Sequence, residues 1–154
     1  MPQALIHRGQ ADTALGTVVT KSAATLPAGT TQNIFTVAGG RVWITLLTGE
    51  VTTVCSATAT NLSVVHVTTV GGDVTLASTV AIASDEEGTI YGVEGDATAL
   101  VKFESGAFQR GASGGGIVLA EGTMNITTSA TNTGATSWEM WYIPLDTGAT
   151  VASA

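Results

Sequence analysis

From Gly16 onward the chain consists of short runs dominated by Thr and Val, separated by turn-forming residues at intervals of roughly 8–12 positions. This texture limits the possible folds more than any other feature. β-Branched side chains lose freedom in a helix and pack well on a pleated sheet. Strong helix formers such as Leu, Glu, Lys and Gln are sparse. The expected fold class is all-β: a single antiparallel β-sandwich or jelly-roll-like barrel of about 8–11 strands. Residues 1–15 are expected to form an N-terminal arm, in which Pro2 and Gly9 oppose a helix. Residues 16–154 would form the β-sandwich domain, a size that suits one core.

Strands are expected at Thr17–Lys21, Thr31–Val37, Arg41–Leu47, Val51–Ala57, Asn61–Thr69 and Val74–Ala83, then at Thr89–Val93, Leu100–Glu104, Ile117–Ala120, Thr123–Ser129 and Ser137–Ile143. In Arg41–Leu47, simple alternation puts Val42, Ile44 and Leu46 on one face and Trp43, Thr45 and Leu47 on the other. Gly49 is expected to bulge or bend the chain before Val51. Leu26–Gly29 and Gly71–Gly72–Asp73 read as turns, Ser84–Gly88 as an acidic loop, and Phe108–Gly116 as a glycine-rich loop or arm. Pro144 cannot donate to a ladder, so the last strand should end there or lie at an edge.

Charge narrows the function classes. Only 11% of residues are charged, against 44% hydrophobic, and the net charge is −7 with a pI near 4.4. Arg8, Lys21, Arg41, Lys102 and Arg110 are too few and too scattered to neutralise a run of phosphates, so neither nucleic acid nor an anionic membrane is an expected partner. Mean hydropathy is +0.36, yet Thr, Ser and Gly interrupt every apolar run well short of the roughly 18–20 residues of a membrane helix. A chain with so few charges must cover itself with uncharged polar residues or hide surface in an assembly. Cys55 is the only cysteine, which excludes an intrachain disulfide. The first residues lack a basic start followed by an apolar core, so synthesis in a cytoplasm without export is expected.

Candidate chemistry is thin. Nucleophilic catalysis needs a nucleophile, a base in reach and an orienting group, and only Cys55 with His66 offers a beginning. A lone Cys on a Thr/Val strand is more often a small buried hydrophobe. Zinc wants closely spaced Cys and His ligands, which two distant histidines and one cysteine do not supply. Asp85-Glu86-Glu87, with Glu94 and Asp96 beyond, is the best cation candidate, but its spacing is not that of an EF-hand and a solvated acidic turn is the simpler reading. The Gly111–Gly116 region lacks the Lys-Ser/Thr end of a P-loop and the spacing of a dinucleotide turn. No catalytic residue, metal or cofactor is therefore expected, and the chain is not expected to be an enzyme.

The tail SWEMWYIPLDTGATVASA concentrates Trp138, Trp141 and Tyr142 in a chain only 5% aromatic. On a strand, Trp138, Met140 and Tyr142 share one face and Glu139, Trp141 and Ile143 the other, so the strand reads as buried on both sides. A core strand, a subunit seam and a sugar-stacking platform are all open; Met140, Ile143 and Leu145 weigh against the last.

Three stretches, TLPAGTTQNIFTVAGGRVWITLLTGEVTT, DEEGTIYGVEG and SWEMWYIPLDTGATVASA, resemble small capsid decoration (cement) proteins of tailed bacteriophages. The resemblance extends over most of the chain from about Ser22. It implies a β-sandwich that binds the outside of a phage head as a homotrimer, with the major capsid protein as partner, and that acts by contact area without an active site. Its implied location is the outer surface of the virion capsid. His7 and Arg8 in the arm and Phe108 and Arg110 in the loop are the candidates for capsid or neighbour contact. Trp43, Trp138, Trp141 and Tyr142 are the candidates for core or seam. Another phage assembly subunit of the tail tube or fibre, and a carbohydrate-binding β-sandwich module, are the alternatives.

Overall fold

The computed structural model describes residues 15–94, 99–103 and 116–154. These residues form eleven strands: β1 (Thr17–Thr25), β2 (Thr31–Ala38), β3 (Val42–Thr53), β4 (Asn61–Thr68), β5 (Val74–Ala81), β6 (Ile90–Gly92), β7 (Val101–Phe103), β8 (Ile117–Leu119), β9 (Gly122–Thr128), β10 (Ala135–Pro144) and β11 (Thr150–Ser153). They make two antiparallel sheets packed face to face. One has the order β1-β10-β3-β6-β7, with β8 beside the first half of β3; the other runs β11-β2-β9-β4-β5. The architecture is a β-sandwich and not a closed barrel. Its two open sides are stitched rather than paired. On one side the Lys21 ammonium donates to the Ala154 carbonyl, and on the other Ser78 bridges Ala99.

The core lies between the sheets. Ile34, Phe35, Leu62, Val64, Met124 and Ile126 project from one sheet, and Val42, Leu47, Val51, Trp138 and Met140 from the other. β4 alternates, with Leu62, Val64 and His66 all pointing inward. Burial of such side chains contributes roughly 1.5–3 kcal/mol each and is the main driving force for the stack.

The sequence alternation fails inside β3, and the reason is a pair of bulges. Across β10, Tyr142 pairs with Ile44 but Trp141 pairs with Leu46, so Thr45 is an extra residue; Thr52 is skipped in the same way between Thr136↔Val51 and Ala135↔Thr53. The first bulge flips the phase. Val42 and Ile44 point inward, Leu46 turns outward and Leu47 goes to the core. The expectation that Gly49 bulges is therefore corrected: Gly49 stays in register opposite Trp138. A Cβ there would sit 2.9 Å from the indole ring, so the glycine is the flat floor on which Trp138 lies. β3 consequently runs without a break to Thr53, and the expected extension to Ala57 is not formed.

β10 is also corrected. It is a central strand between β1 and β3, and it is not the last strand, being followed by the short β11 that alternation alone did not reveal. Pro144 does end it. Its inward face carries Thr136, Trp138, Met140 and Tyr142, while Ser137, Glu139, Trp141 and Ile143 on its other face are only half-buried. The strand is thus buried on one side and not on two.

Candidate interaction surface

The aromatic residues separate by strand parity. Trp138 and Tyr142 are 1% and 6% exposed, and Trp138 stacks on Tyr91 with ring centroids 6.4 Å apart. They are core residues. Trp43 and Trp141 point the other way and anchor an apolar patch on the outer face of the β1-β10-β3 sheet. Ladder register builds the patch in two rows: Val18, Trp141 and Leu46 across β1, β10 and β3, then Ile143, Trp43 and Val118 across β10, β3 and β8. Trp43 is 39% exposed and Val118 56%. The Trp43 indole lies on Gly116, where a Cβ would fall on the ring nitrogen. The Trp141 indole N–H donates to Glu139 Oε1 at 2.6 Å.

The rim of this patch is polar. At one end Arg41 clamps Asp146 with Nε and Nη2, each donating at 2.9 Å, while its backbone N–H donates at 2.8 Å. These bonds hold the Asp146 carboxyl down at about 2. At the other end a shallow groove of ≈ 240 Å³, floored by Gly49, carries Glu50, Glu139, Thr20, Thr48 and Ser137.

The opposite sheet differs. Its outer rows are Thr31, Thr127 and Ser63, then Asn33, Asn125 and Val65, then Thr36, Thr123 and Val67. Thr31 and Thr127 hydrogen bond across the strands at 2.9 Å. This face is uncharged but polar.

The groups considered for chemistry are committed to the fold. Asp85 turns inward after Ser84, a non-glycine residue with φ of 62°. Its carboxylate is buried and accepts from Tyr91 Oη at 2.7 Å and from Lys102 Nζ at 2.7 Å. Asp85 is therefore not a solvated acidic-loop residue; only Glu86 and Glu87 of that triplet are exposed. Burial first, and then the bond to Asp85, push the Tyr91 phenol well above its usual range, so it stays a neutral donor. Burial, with the nearby Asp85 charge, also raises the Cys55 thiol. A buried thiol so raised is a poor nucleophile. Cys55 is bonded through its N–H to Asp85 O, near Gly134 beyond the end of β9. His66 is bonded to Ala120 O before the start of β9. The two sit at opposite ends of the sandwich, so Cys55 and His66 form no pair. Among the described residues no three His, Cys, Asp or Glu side chains cluster to hold a metal. His7, Arg8, Phe108 and Arg110 lie outside the described residues.

His66 is itself informative. It is buried, Nε2 bonds the Ala120 carbonyl at 3.0 Å, and Nδ1 has no partner. Burial lowers its pKa below 6.5, against weaker opposing effects from backbone bonds and Asp73. The unfolded chain then binds a proton more readily than the native one, so stability is full above 6.5 and falls as pH drops below it. We expect the melting temperature to decline between pH 7.5 and 5 in the wild-type chain. The decline should be shallower in His66→Gln; parallel curves would show that His66 is not the titrating group.

Val18, Leu46, Val118 and Ile143 were not foreseen as patch residues, and Tyr91 and Lys102 were not foreseen as partners of Asp85. Each becomes visible only through cross-strand register. Comparison with known proteins adds no further constraint: no family model, curated protein or solved structure matches the chain.

Proposed function

We propose that this chain is a structural virion protein, a capsid decoration protein that binds the outside of a bacteriophage head as a homotrimer and stabilises it by contact with the major capsid protein. The observation that carries the reading is the low charge of the outer sheet faces, where Glu50 and Glu139 lie at one end of the first and the Arg41–Asp146 pair at its other rim. One is built of Thr, Asn, Ser and Val rows and the other of Trp, Ile, Leu and Val rows. Large dry contacts need such surfaces, because burying an unpaired charge is costly. The resemblance of three long stretches to phage cement proteins supports the same reading, as does the β-sandwich fold. On this reading the protein has no catalytic role. Many weak contacts repeated over a shell hold it together without a strong single site.

The test is the native mass in solution by light scattering, followed by co-sedimentation with phage heads. The monomer is 15.5 kDa. A closed species of roughly three times that mass which binds heads and raises their melting temperature is the expected result. Open polymers or hexameric rings would move the protein to a tail-tube role. Failure to bind heads would end the decoration reading.

A further inference from the structure

Asp85, Tyr91 and Lys102 are assembled more closely than an ordinary ion pair requires. Tyr91 and Lys102 are direct cross-strand partners in β6 and β7, so their side chains leave the same face of the pair. Each takes one oxygen of the same carboxylate. Tyr91 Oη donates to Asp85 Oδ2 and Lys102 Nζ donates to Oδ1, both at 2.7 Å. The Asp85 backbone is pinned as well: its N–H donates to the Ile82 carbonyl at 3.3 Å, and its carbonyl accepts from the Cys55 N–H at 2.9 Å. Water is nearly excluded. The Asp85 side chain is 3% exposed, and Tyr91, Cys55 and Ile82, each bonded to Asp85, are buried.

We propose that Lys102 and Asp85 condense to an amide, an isopeptide crosslink between β7 and the β5–β6 loop. The atoms balance without a co-reactant. One proton passes from the ammonium along its hydrogen bond to Oδ1, leaving a neutral amine. Nζ then attacks Cγ, a second proton follows to Oδ1, and the Cγ–Oδ1 bond breaks. Oδ1 leaves as water, Oδ2 becomes the amide carbonyl oxygen, and Nζ keeps one hydrogen. Nothing is oxidised or reduced. Tyr91 supplies the oxyanion donor, because its O–H is already aimed at the oxygen that carries negative charge in the tetrahedral intermediate. Burial keeps that phenol protonated throughout. Two physical effects favour the product. Well-oriented intramolecular reactions reach effective molarities of about 10⁵–10⁸ M, which favours a condensation that free amine and acid in dilute water do not undergo. A neutral amide also removes the desolvation cost of two charges held out of water. The Lys102 side chain, 22% exposed, gives the released water a way out. This inference does not rest on the decoration reading.

Mass spectrometry of the intact, denatured chain tests it. The wild-type chain should be lighter than its sequence mass by one water molecule, and Lys102→Arg and Asp85→Ala should show no such loss. Lys102→Arg keeps a cation at the site but cannot form this amide. Cleavage after glutamate locates the bond. Glu86, Glu87 and Glu94 separate Asp85 from Lys102 in the sequence, so the two fragments should stay joined in the wild-type digest. Tyr91→Phe keeps the ring and removes the hydroxyl, and most of that variant should remain uncrosslinked. A wild-type chain at full sequence mass, with the two fragments separate, would overturn the proposal. A water loss that survives in Lys102→Arg would also overturn it, and full crosslinking in Tyr91→Phe would overturn the role given to Tyr91. The joined fragments are read in the wild-type chain, so the result stands even where a variant fails to fold.

Discussion

Trp138→Ala is expected to lower the free energy of unfolding by about 3–5 kcal/mol, the range for removing a fully buried Trp side chain. That is a large share of the roughly 5–15 kcal/mol available to a typical domain. The indole is enclosed on every side. Gly49 lies flat beneath it, Tyr91 stacks at 6.4 Å, and its ring N–H donates to Thr136 Oγ1 at 3.1 Å. A glycine has no side chain to collapse into the void, so the cavity should persist and the full penalty should appear. Trp141→Ala, three positions along the same strand, removes a half-exposed ring from the outer face and should cost far less. Urea unfolding of the two variants gives a direct comparison; equal losses would contradict the assignment of opposite faces.

The second large effect is expected at Asp85. Asp85→Ala removes the acceptor of a buried donor, Tyr91 Oη, and of a part-buried one, Lys102 Nζ. Breaking a buried pair by deleting one partner costs about 3–5 kcal/mol. Here the lower end is expected, because the Lys102 side chain is 22% exposed and also donates to the Ala81 carbonyl at 3.4 Å. Removing both charges in Asp85→Ala/Lys102→Met should recover part of the loss, since the part-buried ammonium no longer faces the site of the deleted carboxylate. The bond joins the β5–β6 loop to β7 at the sheet edge, so hydrogen exchange of β6 and β7 should rise in the single variant. A loss below about 1 kcal/mol would place the pair among ordinary surface ion pairs.

Much of the fold is legible residue by residue. The Thr/Val texture, the Gly71–Gly72 turn and the alternation Leu62, Val64, His66 each depend on a period of two or on local turn chemistry, which neighbouring residues carry themselves. β11 escaped because its four residues, Thr150–Ser153, are too short to show a period. The face assignment in β3 failed at Thr45 because a bulge depends on the partner strand. Nothing in RVWITLL says that Trp141 and Tyr142 will sit opposite Leu46 and Ile44 with one residue between. The candidate site was legible only in part for the same reason. The sequence picks out Trp43 and Trp141 as unusual, but their meeting with Val118 and Ile143 requires three strands from distant parts of the chain to be in register.

Asp85 shows the limit most clearly. In the sequence DEEG it is the first of three like charges in a turn, and such residues are ordinarily solvated. Its burial depends on Tyr91 and Lys102 arriving from β6 and β7 to supply two donors, an energetic fact that no local pattern carries. By itself, then, the sequence determined an all-β, charge-poor sandwich, because side-chain branching and composition act locally. The tertiary structure alone decided which tryptophans are core and which are surface, and which acid is buried, because those outcomes depend on strand register and on partners far away in the chain.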